Sequence, residues 1–123
     1  MNWNNIKEKY PKSYERLNRY YLLSARSDIN GINYPHPREL YDFFDEQGIY
    51  IDVSFDDGKL PMMFWVDIYS TVSRHPHDDG YELRCEYTFG DGDRTKNEFY
   101  KTRTEAEEKA FEKAFEILED KCQ

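Results

Sequence analysis

Residues 37–55 read "PRELYDFFDEQGIYIDVSF", and their hydrophobic period changes at a single glycine. Before Gly48, Leu40, Phe43 and Phe44 recur at i, i+3 and i+4, the spacing of one helical face. Pro37 suits the first helical turn, and Gly48 suits the left-handed stop that ends it. After Gly48, Ile49, Ile51, Val53 and Phe55 alternate with Tyr50, Asp52 and Ser54, the period of two that marks a half-buried strand. A helix that feeds straight into a strand, each with one apolar side, predicts an α+β fold in which helices cover a sheet.

The next two apolar runs extend that sheet. Residues 62–73 place Phe64, Val66, Ile68 and Val72 on one side and Trp65, Asp67, Tyr69 and Thr71 on the other. In "YELRCEYTF", 81–89, Tyr81, Leu83, Cys85, Tyr87 and Phe89 alternate with Glu82, Arg84, Glu86 and Thr88, and "EFYKT", 98–102, reads as a short fourth strand. Short polar connections, "DDGK", "HPHDDG" and "GDGDRTKN", make this a four-stranded antiparallel meander.

Helices close both ends. Trp3, Ile6 and Tyr10 keep helical spacing until Pro11 interrupts it, and a second helix is expected from Lys12 to Ser24 with Tyr14, Leu17 and Tyr21 buried. Residues 27–36, "SDINGINYPH", read as a loop. At the other end Thr104 and Glu107 have capping-box spacing, and Ala106, Ala110, Phe111, Ala114, Phe115 and Leu118 form the stripe of a helix reaching Asp120 and packed on the sheet. The whole, residues 1–123, is expected to be one domain of two layers.

Composition sets the material of the core. Only 38% of the 123 residues are apolar while 17% are aromatic, including 11 Tyr and 8 Phe, so rings must supply most of the buried surface. The net charge of −8 is uneven: residues 1–26 carry six basic groups against Glu8 and Glu15, so the remainder carries −12. Such a body repels nucleic acid and anionic lipid, except at the stripe Lys12, Arg16, Arg19 and Arg26 with its neighbour Tyr20. No run of about 18 apolar residues offers a membrane span, and the N-terminus lacks the apolar core of a signal peptide. Cys85 and Cys122, 37 positions apart, fit free thiols in a reducing cytoplasm.

The candidate chemical motifs are weak. "HPHDDG" offers His75 and His77 with Asp78 or Asp79, but zinc needs three or four converging ligands and nothing visibly completes the set. A turn of Pro, Asp and Gly is the simpler reading, and no metal or other cofactor is expected. "GDGDRTKN" fails the calcium-loop pattern, because the sixth position from Asp91 is Lys96 and the twelfth is Thr102. No nucleophile motif or phosphate-binding glycine loop occurs, and no small-molecule substrate is indicated, which makes an enzyme the third reading.

The order αβββα resembles the double-stranded RNA-binding fold, whose last helix aims lysines at phosphates. Here that helix begins "TRTEAEEKA", and its glutamates would repel the ligand. The stronger signal is the second row of the sheet, where Tyr50, Met63, Trp65 and Tyr69 point away from Ile51, Val53, Val66, Ile68 and Leu83. Either the N-terminal helices wrap that side with Trp3, Ile6, Tyr14 and Leu17, or the rings meet a partner protein or a second copy of the chain.

Three segments, "WNNIKEKYPKSYERL", "RELYDFFDEQGIYIDV" and "TRTEAEEKAFEKAFEILE", together resemble a group of small proteins of gut Bacteroidetes genomes and their prophage-like regions. No activity is assigned to that group, so the resemblance implies no site residues; it implies a cytoplasmic accessory protein of a mobile element. The leading expectation is therefore a non-enzymatic protein-interaction module acting through Tyr50, Trp65 and Tyr69, or through Glu105, Glu108 and Glu112 of the last helix. The alternative is an inhibitor that mimics nucleic acid, with Glu105, Glu108, Glu112, Glu116 and Glu119 as surrogate phosphates.

Overall fold

A computed structural model of the chain describes residues 1–29, 31–56, 63–73, 81–89, 100 and 102–122. The helix and strand read around Gly48 are α3, Pro37–Glu46, and β3, Ile49–Asp56. Gly48 takes φ +74, as a left-handed stop requires, and its carbonyl accepts a hydrogen bond from the Thr71 amide at 3.1 Å. The helix stop is thereby stitched to the neighbouring strand before β3 begins.

Among the described residues the main sheet has three antiparallel strands in the order β3, β4 (Met63–Ser73), β5 (Tyr81–Phe89). The expected fourth strand is not confirmed among the described residues. Within 98–102 only Tyr100 and Thr102 are described, and Tyr100 exchanges both backbone hydrogen bonds with Phe64 of β4, at 2.8 and 2.9 Å. Val66 pairs with Phe89, so Tyr100 continues the line of β5 along β4 instead of adding a strand beyond β5.

A bulge interrupts β5, and with it the expected alternation. The register steps from Ile68 with Tyr87 to Tyr69 with Cys85, leaving Glu86 as the extra residue. Leu83 and Cys85 therefore stand opposite Thr71 and Tyr69, not in phase with Tyr87. The Glu86 carboxylate, expected on the far row, accepts a hydrogen bond from the hydroxyl of Ser70, which is fully buried among the helices' neighbours.

Helices cover one side of this sheet. The last, α4 (Arg103–Lys121), lies across β3 and β4 and buries Ala106, Ala110, Phe111, Ala114, Phe115, Ile117 and Leu118. It starts two residues earlier than its sequence suggests: the Thr102 hydroxyl accepts the Glu105 amide at 3.1 Å, so Thr102 and not Thr104 is the cap. Phe43 and Phe44 of α3 pack edge-on to each other; Phe44 also meets Phe115 edge-on and stacks on Phe111, whereas Phe43 lies tilted to Phe115. Fully burying each such ring stabilises the fold by about 1.5–3 kcal/mol.

The N-terminal helices α1 (Trp3–Lys9) and α2 (Pro11–Tyr21) dock on α4, on this same side. Trp3 stacks on Tyr34 with ring centroids 4.7 Å apart and meets Phe115 edge-on at 5.9 Å. Helix α2 ends sooner than expected because Leu22 adopts a left-handed conformation, φ 49, and a 3-10 turn over Leu23–Arg26 follows. Residues 27–36 hold a small hairpin, β1 (Ser27–Asp28) with β2 (Gly31–Ile32), where a plain loop was expected.

Candidate functional site

The row of the sheet that faces away from α4 is built by register. Across β3 and β4, Tyr50 stands opposite Tyr69, Asp52 opposite Asp67, and Ser54 opposite Trp65. Directly opposed residues lie with Cβ atoms about 4.5–5.5 Å apart, so these three pairs form one contiguous strip. Tyr50 and Asp52 are exposed, at 36% for the tyrosine, while Ser54, Trp65, Asp67, Tyr69 and Thr71 are half-buried. The other row, Ile49, Phe64, Val66 and Ile68, is buried under the helices.

The helices expected to wrap the ring-bearing side are not there. Ile6 and Leu17 are buried in the cluster around α4, and Trp3 and Tyr14 pack against that cluster. Among the described residues, the helices that meet the sheet do so through its buried row. Met63 pairs with Asp56 by register, but its side chain lies outside what is described.

Glu105, Glu108 and Glu112 sit together on a second surface, a groove of about 410 Å³ between α1 and α4. Lys9, Lys109 and Tyr100 also line it, and the chain's amino group lies 3.1 Å from the Glu108 carboxylate. Three carboxylates therefore face two ammonium side chains and the amino terminus, which leaves the groove close to neutral. At its floor the Tyr100 hydroxyl is driven well above the usual tyrosine range, by burial first and then by its contact with Tyr87. Tyr87 is itself raised by burial, with the Lys113 ammonium 5.2 Å from its ring.

Glu116 and Glu119, further along α4, have structural work. Glu116 takes the Lys113 ammonium at 3.2 Å. Glu119 accepts the backbone amides of Lys12 and Ser13 at 3.2 and 2.8 Å, capping an α2 N-terminus that has no side-chain cap of its own. No sequence signal announced this, because partner and cap are 106 residues apart.

The basic stripe is engaged in part. Arg26 grips Glu39 through two hydrogen bonds of 2.9 and 3.0 Å, and this pairing holds the Glu39 carboxyl below the usual glutamate range. Arg19 pairs with Glu15 at 2.9 Å and Arg16 bonds Gln47 at 3.0 Å. Two of the four cations of the stripe, Arg19 and Arg26, are thus ion-paired, while Arg16 bonds a neutral amide. His36 lies 3.1 Å from Glu39, whereas His75, His77, Asp78 and Asp79 fall outside the described residues, as does "GDGDRTKN". Cys122 is a free, half-buried thiol at the end of α4; Cys85 sits in β5 opposite Tyr69. No helix among the described residues is long and apolar enough to cross a membrane.

Comparison with protein-family models, curated proteins and solved structures returned no match.

Proposed function

We propose that the chain is a non-enzymatic protein-interaction module that binds a partner protein through the strip Tyr50, Trp65 and Tyr69. One observation carries the reading: among the described residues the helices that meet the sheet use its other row, and Tyr50 is open to solvent while Trp65 and Tyr69 are half-buried. Aromatic side chains are the usual anchors of protein interfaces, because they bury much area at little cost in side-chain freedom. A role as a cytoplasmic accessory protein of a mobile element belongs to the same proposal and rests on the sequence resemblance alone.

Mimicry of nucleic acid has less support. It asks for an uninterrupted line of carboxylates, but Glu119 caps α2, Glu116 holds Lys113, and Glu108 holds the amino terminus.

The test is capture of a partner from cells that naturally express the chain, followed by Tyr50→Ala and Trp65→Ala. Both variants are expected to lose the partner with unchanged far-UV circular dichroism, while Tyr20→Ala, an exposed ring elsewhere, keeps it. Retention by both strip variants, with loss in a Glu105→Gln, Glu112→Gln double variant, would move the interface to the groove.

A further inference from the structure

We infer that the partner contributes an extended segment as a further strand along the outer edge of β3, with apolar residues beside Ile51, Val53 and Phe55 and polar, non-acidic ones beside Tyr50, Asp52 and Ser54. The inference rests on the reading that the partner meets this sheet, and it names how the partner is held. Strand β3 ends the strand order, and among the described residues no backbone hydrogen bond joins residues 50–55 to anything but β4. Successive residues of an antiparallel strand turn their amide and carbonyl groups to alternate sides, so half of these groups face away from β4. Such a row is a template for another chain unless the sequence blunts it. Ile49–Asp56 holds no proline, glycine or lysine, and all eight residues pair with β4 in unbroken register. The opposite edge strand, β5, is interrupted by the bulge at Glu86, which disrupts its ladder and bends the strand.

The side chains of this edge define the occupant. On the row that meets the helices burial falls along β3: Ile49 is fully buried, Ile51 and Val53 are half-buried, and Phe55 is 43% exposed. Apolar surface is thus left uncovered on the outermost strand, where the residue of an added strand would stand about 4.5–5.5 Å away. A valine, isoleucine or aromatic residue there covers it and also suits the extended backbone. On the other row Tyr50 and Asp52 are exposed, so an acidic residue opposite Asp52 would be repelled, while threonine or lysine is accepted. A second copy of the chain fits less well. The antiparallel registers of greatest overlap that keep like rows together set Asp52 opposite or diagonal to its own copy.

The probe is a short capped peptide in which three valines alternate with two threonines between terminal lysines, so that it reads the same in both directions. Its control is the same peptide with every inner amide N-methylated. Both are titrated into the full chain and followed by amide chemical shifts and hydrogen exchange. In the free chain alternate amides of residues 50–55 should exchange fast, being those that face away from β4. At a free peptide concentration about ten times Kd they should slow about tenfold. The methylated control keeps every side chain and both charges but loses the donors, so it should neither bind nor protect. Phe55→Lys, which sets a charge on the apolar row of the edge, should weaken the peptide about twofold to fivefold. The exchange and control measurements use the parent chain, so they stand whether or not that variant folds. Equal binding by the control, shifts that gather on β5 or on the groove between α1 and α4, β3 amides that stay fast at saturation, or no binding at all would overturn the inference. The captured partner separates the two readings: if it survives Phe55→Lys but not Tyr50→Ala, the ring strip stands and the added strand does not. If it survives both, both are wrong.

Discussion

Gly48 is where the two periods of the sequence meet, and its side chain is absent for two separate reasons. Its φ of +74 lies in the region where a residue with a Cβ is strained by about 1–2 kcal/mol. A Cβ there would also stand 2.8 Å from the Thr71 hydroxyl oxygen, closer than unstrained atoms approach. Gly48→Ala is therefore expected to lower unfolding free energy by about 2 kcal/mol, read from the urea midpoint at constant slope. The two causes separate in a double variant: Thr71→Ala should restore the part due to contact and leave the part due to backbone strain. A Gly48→Ala midpoint equal to that of the parent would mean that the strand start does not depend on this turn.

At the scale of elements, the joint between α2 and α4 does what no local pattern announces. Pro11 gives α2 a preset first turn but brings no capping side chain, and the amides of Lys12 and Ser13 would be left unpaired without Glu119. Fully buried Ser13 completes the joint by donating from its hydroxyl to the Phe115 carbonyl at 2.9 Å. Glu119→Ala should cost about 1–2 kcal/mol, the range for lost caps, and Glu119→Gln less, since an amide oxygen still accepts. Hydrogen exchange checks the cause: the amides of Lys12 and Ser13 should speed up in Glu119→Ala while those of Phe111 to Leu118 do not. Equal acceleration in both helices would make Glu119 an ordinary packing residue. The periods of α3, β3, β4 and α4 were legible because each rests on residues within one or two turns of each other. The bulge at Glu86, the place of Tyr100 beside β4, and the pairing of Arg26 with Glu39 were not, because each is decided by a partner that local spacing does not name. The candidate site divides the same way. The sequence showed which rings share the second row, but only the docking of α1 and α2 on α4 showed that these two helices lie elsewhere.

For the whole molecule, a core made of rings has a consequence at high pH. Among the described residues, Tyr10, Tyr14, Tyr21, Tyr41, Tyr87 and Tyr100 have their ionisation pushed up, in every case first by burial. Tyr14, whose hydroxyl also meets that of Tyr34 at 3.3 Å, and Tyr21, close to Glu39, are each pushed up to about 12. In the unfolded chain the same groups ionise near the ordinary value of about 10. A group whose folded value lies above its unfolded one contributes stability that is intact below the unfolded value and is lost as pH rises through the folded one. Stability is therefore expected to hold up to about pH 10 and to fall steeply between about 10 and 12. Absorbance at 295 nm, titrated alongside far-UV circular dichroism, checks this. The six raised tyrosines should ionise in one steep step that coincides with loss of helix signal. In guanidinium this step should give way to a single smooth titration near 10. A native chain whose tyrosines all ionise smoothly near 10 with its circular dichroism unchanged would show that packing of these rings against the core does not hold their ionisation up.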